Sequence, residues 1–307
     1  MLQITAELFS GRPNPTWIIT DEDAAREVIG AAGESAELTG APGAGYDGLG
    51  WRELVVTSLD DDEDRWPEGL SRTFALGTLA ARDLRRSGEL AQRIVTDMTR
   101  YADIIRPEHD LTPIDGEMRD LVLSWLDRFL REPPEWVRPD ILPPQNPLRT
   151  TVRDRRCDQC TYEVSQFNPV FWNRLQVQPR NNCYNYGRNW RTDTFAQPGR
   201  AHGAQTRVMS CPTVTAAALA DGLKHRCDCL PDGEYPRRHV ALVVAPGGDY
   251  HWYREQRDGF WGHKPGPTAA RNTDNKGVVI TDPESCDRGW YTDFCGYFYA
   301  GRSVVIS

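Results

Sequence analysis

Six prolines within a short stretch, Pro133, Pro134, Pro139, Pro143, Pro144 and Pro147 in EPPEWVRPDILPPQNPLR, cut this 307-residue chain near its middle. Proline fixes φ and removes a backbone donor, so neither a helix nor a central strand runs through such a segment, and it reads as an extended spacer. The chemistry changes across it. Residues 1–149 hold 16 Arg, no Lys and 28 acidic residues, a net charge of −12, whereas residues 150–307 hold 20 basic and 16 acidic residues, a net charge of +4. All eight Cys, five of six His and nine of eleven Tyr fall on the second side. The sequence therefore predicts an α+β protein of two domains: an acidic α+β domain over 1–131, a Pro-rich linker over 132–149 and a Cys/His-rich domain over 150–307.

A net charge of −8 argues against a general binder of nucleic-acid backbones. No apolar run reaches the ~18–20 residues that a bilayer span needs, so no membrane partner is expected. The first residues, MLQITAELFSGRPNPTW, show neither a basic n-region nor an apolar h-region, which makes the cytoplasm the default compartment and leaves export by a signal-less route open. The composition does not fix an oligomeric state.

The first half predicts strands over 3–9, 16–19 and 53–58, a helix start capped at Thr20, and helices over 79–105 and 114–130. The last of these carries Met118, Leu121, Val122, Trp125, Leu126 and Phe129 on one face. The acidic run Asp60 to Asp64 reads as a solvated loop, not a calcium site, and His109 as a surface residue. Nothing in this half points to chemistry.

The second half does. In Asn181-Asn182-Cys183-Tyr184-Asn185-Tyr186 the two Asn can cap a helix that starts at Cys183, and a thiol in a first turn feels the positive end of the dipole. Three histidines then follow at intervals of twelve: His239 opens the apolar run HVALVVA, His251 lies beyond the Pro-Gly-Gly turn in YHWYR, and His263 lies in FWGHKPG. Strand, turn and strand of that length make an antiparallel meander in which successive histidines can approach one another.

In these residues the chain resembles the NlpC/P60 branch of the papain-like cysteine peptidases and amidases. HVALVVAPGGDYH matches the strand that opens with the general base and the polar residue one strand later. The resemblance implies a papain-like domain in which a helix packs on an antiparallel sheet, with Cys183 as nucleophile, His239 as base and His251 as orienting residue. A second frame within the same fold makes His251 the base, oriented by His263 or by Asn275. The implied chemistry is thiolate attack on an amide or thioester carbonyl of a peptide or protein substrate, followed by hydrolysis or transfer, with no cofactor needed for catalysis. Trp252 and Tyr253, with Trp190 and Trp261, can line a substrate cleft. Gln197 and His202 can reach it from the loop RTDTFAQPGRAHG.

The other cysteines admit two accounts. Cys157 and Cys160, with Cys227 and Cys229, form two close thiol pairs that together suit a structural four-cysteine zinc site, or disulfides if the protein is exported. Cys211, Cys286 and Cys295 show no partner spacing. The rival readings of the whole chain are a non-catalytic peptide- or glycan-binding protein with structural cysteines, and a zinc-stabilised interaction module.

Overall fold

The computed structural model describes residues 1–60, 66–102, 110–135 and 150–307. Most of the acidic run, His109 and most of the Pro-rich segment lie outside these residues. The chain divides into two compact units, Met1–Leu8 with Pro13–Trp136, and Phe9–Arg12 with Val137–Ser307. Among the described residues no helix is long and apolar enough to cross a membrane.

The first unit is built on an antiparallel sheet of β1 (Leu2–Glu7), β2 (Thr16–Ile19), β3 (Glu53–Ser58) and β4 (Thr73–Leu76), in the order β2-β1-β3-β4. Along β1 burial alternates with period two, Leu2, Ile4 and Ala6 pointing inward. Helices α1 (Glu22–Gly33), α2 (Leu84–Thr96) and α3 (Gly116–Arg131) complete it. Each is preceded by an aspartate, Asp21, Asp83 or Asp115, whose carboxylate accepts from the amide of Ala24, Arg86 or Met118 at 2.8–3.0 Å. The first cap is thus Asp21 and not Thr20. α3 buries Met118, Val122, Trp125, Leu126 and Phe129, the face that the spacing predicts.

The second unit begins with the hairpin of β5 (Thr150–Arg153) and β6 (Thr161–Val164). The short helices α4 (Pro169–Trp172) and α5 (Cys183–Arg188) follow, and then α6 (Cys211–Ala220). Five antiparallel strands, β7 (Lys224–His225), β8 (Arg238–Ala245), β9 (Asp249–Glu255), β10 (Trp261–His263) and β11 (Asp293–Ala300), pair in the order β10-β9-β8-β11-β7. All eight residues of the central β8 are buried. One face of the sheet carries Val240, Leu242, Val244, Tyr250, Trp252 and Phe298 into a core shared with Cys183 and Tyr184 of α5 and with Val214 and Ala218 of α6. The expected meander is present, and the fold is mixed α and β with antiparallel sheets.

Residues 9–12 continue the predicted first strand in sequence but pack within the second unit. The amides of Ser10, Gly11 and Arg12 surround the buried carboxylate of Asp249 at 2.5–3.0 Å, and the Tyr291 hydroxyl donates to the same group at 2.6 Å. Successive amides pointing at one carboxylate, joined by a hydroxyl, satisfy its buried oxygens. Only glycine fits at position 11, where a Cβ would lie 2.6 Å from the Tyr250 carbonyl oxygen.

Candidate functional site

The helix at Cys183 forms as its flanking residues dictate. The Asn182 side chain accepts from the amides of Tyr184 and Asn185 while Asn185 reaches back to the Asn182 amide, a reciprocal cap. The thiol itself differs from the expectation. Cys183 is fully buried in the apolar cluster, its Sγ 3.9 Å from the Tyr250 carbonyl oxygen. Burial, reinforced by the nearby negative charge of Asp249, pushes its pKa well above the ordinary thiol value. Desolvation of a thiolate outweighs the dipole of a six-residue helix.

The histidines lie on the other face of the sheet. Side chains along a strand alternate between faces. Tyr250 and Trp252 lie in the cluster with Cys183, so His251 between them points away. There Ser10 Oγ lies 2.7 Å from His251 Nδ1, His251 Nε2 lies 2.9 Å from His263 Nδ1, and His263 Nε2 lies 2.9 Å from the Thr273 carbonyl oxygen. A carbonyl can only accept, so His263 carries its proton on Nε2, His251 donates from Nε2, and the Ser10 hydroxyl donates to His251 Nδ1. Every ring nitrogen is used and both rings are neutral. Burial first, then the charge of Arg271, holds His263 down to about 3; burial, then His263 and Arg271, holds His251 well below the usual histidine value.

His239 stands apart from that relay. The residue of β8 that pairs with His251 is Val243, four residues farther along the strand, a distance of about 14 Å at ~3.4 Å per residue. Its Nδ1 lies 2.6 Å from Glu255 Oε2, which also accepts from the Tyr162 hydroxyl at 2.8 Å. The structure thus joins His251 to His263, gives His239 a carboxylate, and brings no histidine to Cys183.

The residues expected to line a substrate cleft are packed or hydrogen-bonded within the second unit. Trp252 is wholly buried under α5, and Tyr253 stacks on His263 with ring centroids 5.1 Å apart. The Gln197 amide donates to the carbonyls of Gly11 and Phe195 and accepts from the Tyr250 hydroxyl. Asn275 is half-buried in the turn before Gly277, its amide bonded to the Asp287 carbonyl. His202 binds Asp221 at 2.9 Å. The expected zinc set also gives way: Cys157 is bonded to Cys227 and Cys160 to Cys229, and a disulfide sulfur is no thiolate ligand. A third bridge joins Cys211 to Cys295, two cysteines that spacing alone left unmatched. Among the described residues no group of three His, Cys, Asp or Glu side chains is placed to hold a metal ion.

Open to solvent on the histidine face is a pocket of about 340 Å³ whose lining includes Arg153, Arg155, His239, Glu255, Trp261 and Tyr297. His239 packs between aromatic rings, with centroids 5.2 Å from both Trp261 and Tyr297. Sequence reasoning named His239 and Trp261 but missed Glu255. The signal was there: a hairpin turning at Pro246 to Gly248 pairs Val240 with Arg254, which places His239 against Glu255.

No family profile matches the chain, and no solved structure does. A curated protein of Ruditapes philippinarum, insoluble matrix shell protein 1, is 46% identical over 149 residues, which is 47% of this chain and 95% of that protein. With that identity across nearly the whole of the relative, the chain belongs to the same family as insoluble matrix shell protein 1.

Proposed function

We propose that this chain is a non-catalytic matrix protein whose second unit is a binding module held together by structural cysteines. The observation that carries this reading is the separation of Cys183 from all three candidate histidines, on opposite faces of one sheet. Acyl transfer needs a nucleophile within hydrogen-bond reach of its base and open to substrate, and here the thiol is wholly buried. Three disulfides among eight cysteines suit an oxidising compartment better than the cytoplasm. The matrix role printed in the relative's name agrees with that placement.

Alkylation of the native protein tests this directly. Brief iodoacetamide treatment at pH 7 should label Cys183 more slowly than Cys286, the other free thiol, because Cys286 is half-buried and its pKa is pushed up only to about 12 by burial. Peptide mapping without reductant should recover all three cross-links. Labelling of Cys183 ahead of Cys286, followed by loss of a measurable amidase or transferase activity in Cys183→Ala, would return the protein to the cysteine enzymes.

A further inference from the structure

We infer that the pocket beside His239 binds one acidic sugar residue, a hydroxylated ring bearing a carboxylate or a sulfate. This rests on the binding-module reading and names the ligand class for it. Three features of the pocket converge on such a ligand.

The first is charge. Arg153 and Arg155 are exposed at the rim on the hairpin strand and its continuation. Arg226, also in the lining, is committed to Asp154 through Nε at 2.9 Å. The Glu255 carboxylate is occupied by His239 and Tyr162. Two guanidinium groups thus remain at the mouth for an incoming anion, and their planar donors match a carboxylate or sulfate.

The second is shape. Trp261 and Tyr297 lie 5.5 Å apart, centroid to centroid, and both line the pocket with His239. Aromatic walls give the pocket an apolar lining for a ring that carries its polar groups around the edge, although one face of Tyr297 is taken by Arg226. A volume of about 340 Å³ lies at the small end of ligand pockets and suits one or two sugar rings better than a folded peptide.

The third is an unmet hydrogen bond. Nδ1 of His239 is held by Glu255, and the buried Nε2 on the other side of the ring has no partner. A buried ring nitrogen left unpaired is costly, and a sugar hydroxyl, which both donates and accepts, would satisfy it. An anion without hydroxyls, such as acetate, would meet the arginines and leave His239 as it is. A neutral sugar would do the reverse.

The test uses the full chain with its disulfides intact and follows tryptophan fluorescence on titration with methyl glucuronide, methyl glucoside 6-sulfate, methyl glucoside, acetate and tetra-aspartate. The two acidic glycosides should bind about 10-fold more tightly than either the neutral glycoside or acetate, and their ratio identifies the preferred anion. In Arg153→Ser/Arg155→Ser, an exposed double change that leaves the core alone, the preference for acidic over neutral glycoside should fall to near one. In His239→Phe both glycosides should weaken together while acetate is unchanged. Tighter binding of tetra-aspartate than of the glycosides, no saturable binding of any glycoside, or an acidic preference that survives loss of both arginines would overturn the inference. Turnover of any of these ligands would instead overturn the non-catalytic reading, which keeps the two failures apart.

Discussion

Acidification from pH 7 to pH 4.5 is expected to destabilise the second unit by about 2.6 kcal/mol through His263, with His251 adding in the same direction. Both rings are neutral in the folded protein, with pKa values held below the unfolded value of 6.5. The stability that depends on their neutrality is fully present above pH 6.5. It is lost as the pH falls toward the folded values, about 3 for His263, because the unfolded chain takes up protons that the folded chain refuses. His263 gives a slope of about 1.4 kcal/mol per pH unit and His251 adds to it in the same sense, against a whole stability of about 5–15 kcal/mol for many domains. Asp154, held below the usual carboxylate range chiefly by hydrogen bonds from Arg226 and Tyr299 against the opposing effect of burial, loses its contribution only at lower pH.

The first unit should respond in the opposite sense at one position. Burial raises Glu53 to about 7 against the opposing hydrogen bond from the Gly43 amide. Over the same pH interval its folded form takes up a proton before the unfolded form does, so this group adds stability as the pH falls. Hydrogen exchange resolved by segment separates the two: amides of β8 and β9 should lose protection between pH 6.5 and 4.5 while those of β1 and β3 do not follow. His263→Gln keeps a donor for the Thr273 carbonyl and an acceptor for His251, and should lower the slope in the second unit by about 1.4 kcal/mol per pH unit. A protection profile of β8 and β9 that is flat across this range would show that the relay is not neutral in the folded state.

The relay also marks how far the sequence could be read. The cap at Asn182, the apolar faces, the meander and its twelve-residue histidine spacing are local patterns and were legible, whereas the caps at Asp21, Asp83 and Asp115 were not. The face on which each side chain ends depends on parity against the helix that covers the sheet. Cys183 packs against Tyr250 and Trp252, and that single fact places every odd-numbered residue of β9, His251 included, on the far side. Papain-like spacing in the chain carries no information on that parity. Ser10 and the amides around Asp249 were invisible for a different reason, since contacts across more than 230 residues leave no local trace. The pairing of Cys211 with Cys295, 84 residues apart, is of the same kind.

The remaining pair of bridges, Cys157–Cys227 and Cys160–Cys229, should be partly redundant in stabilising the second unit. Each alone closes a loop across 70 or 69 residues of sequence, which constrains the unfolded chain by about 4 kcal/mol on the loop-entropy relation. Once one bridge is present, the other closes only the small ring through residues 157–160 and 227–229, for roughly 2 kcal/mol. Removing either bridge as a Cys→Ala pair should therefore cost about 2 kcal/mol, and removing both about 6 kcal/mol, more than the sum of the single losses by about 2 kcal/mol. The packing lost around Cys157 and Cys160, which share a cluster with Tyr162, Val164 and Tyr299, is common to single and double variants and largely cancels in that comparison. Urea denaturation of the four proteins measures the coupling. Additive losses would mean that the two bridges act on separate parts of the unfolded chain. Recovery of stability on adding stoichiometric zinc to the fully reduced protein would mean that the four sulfurs serve as thiolate ligands and that the bridges are not the working state.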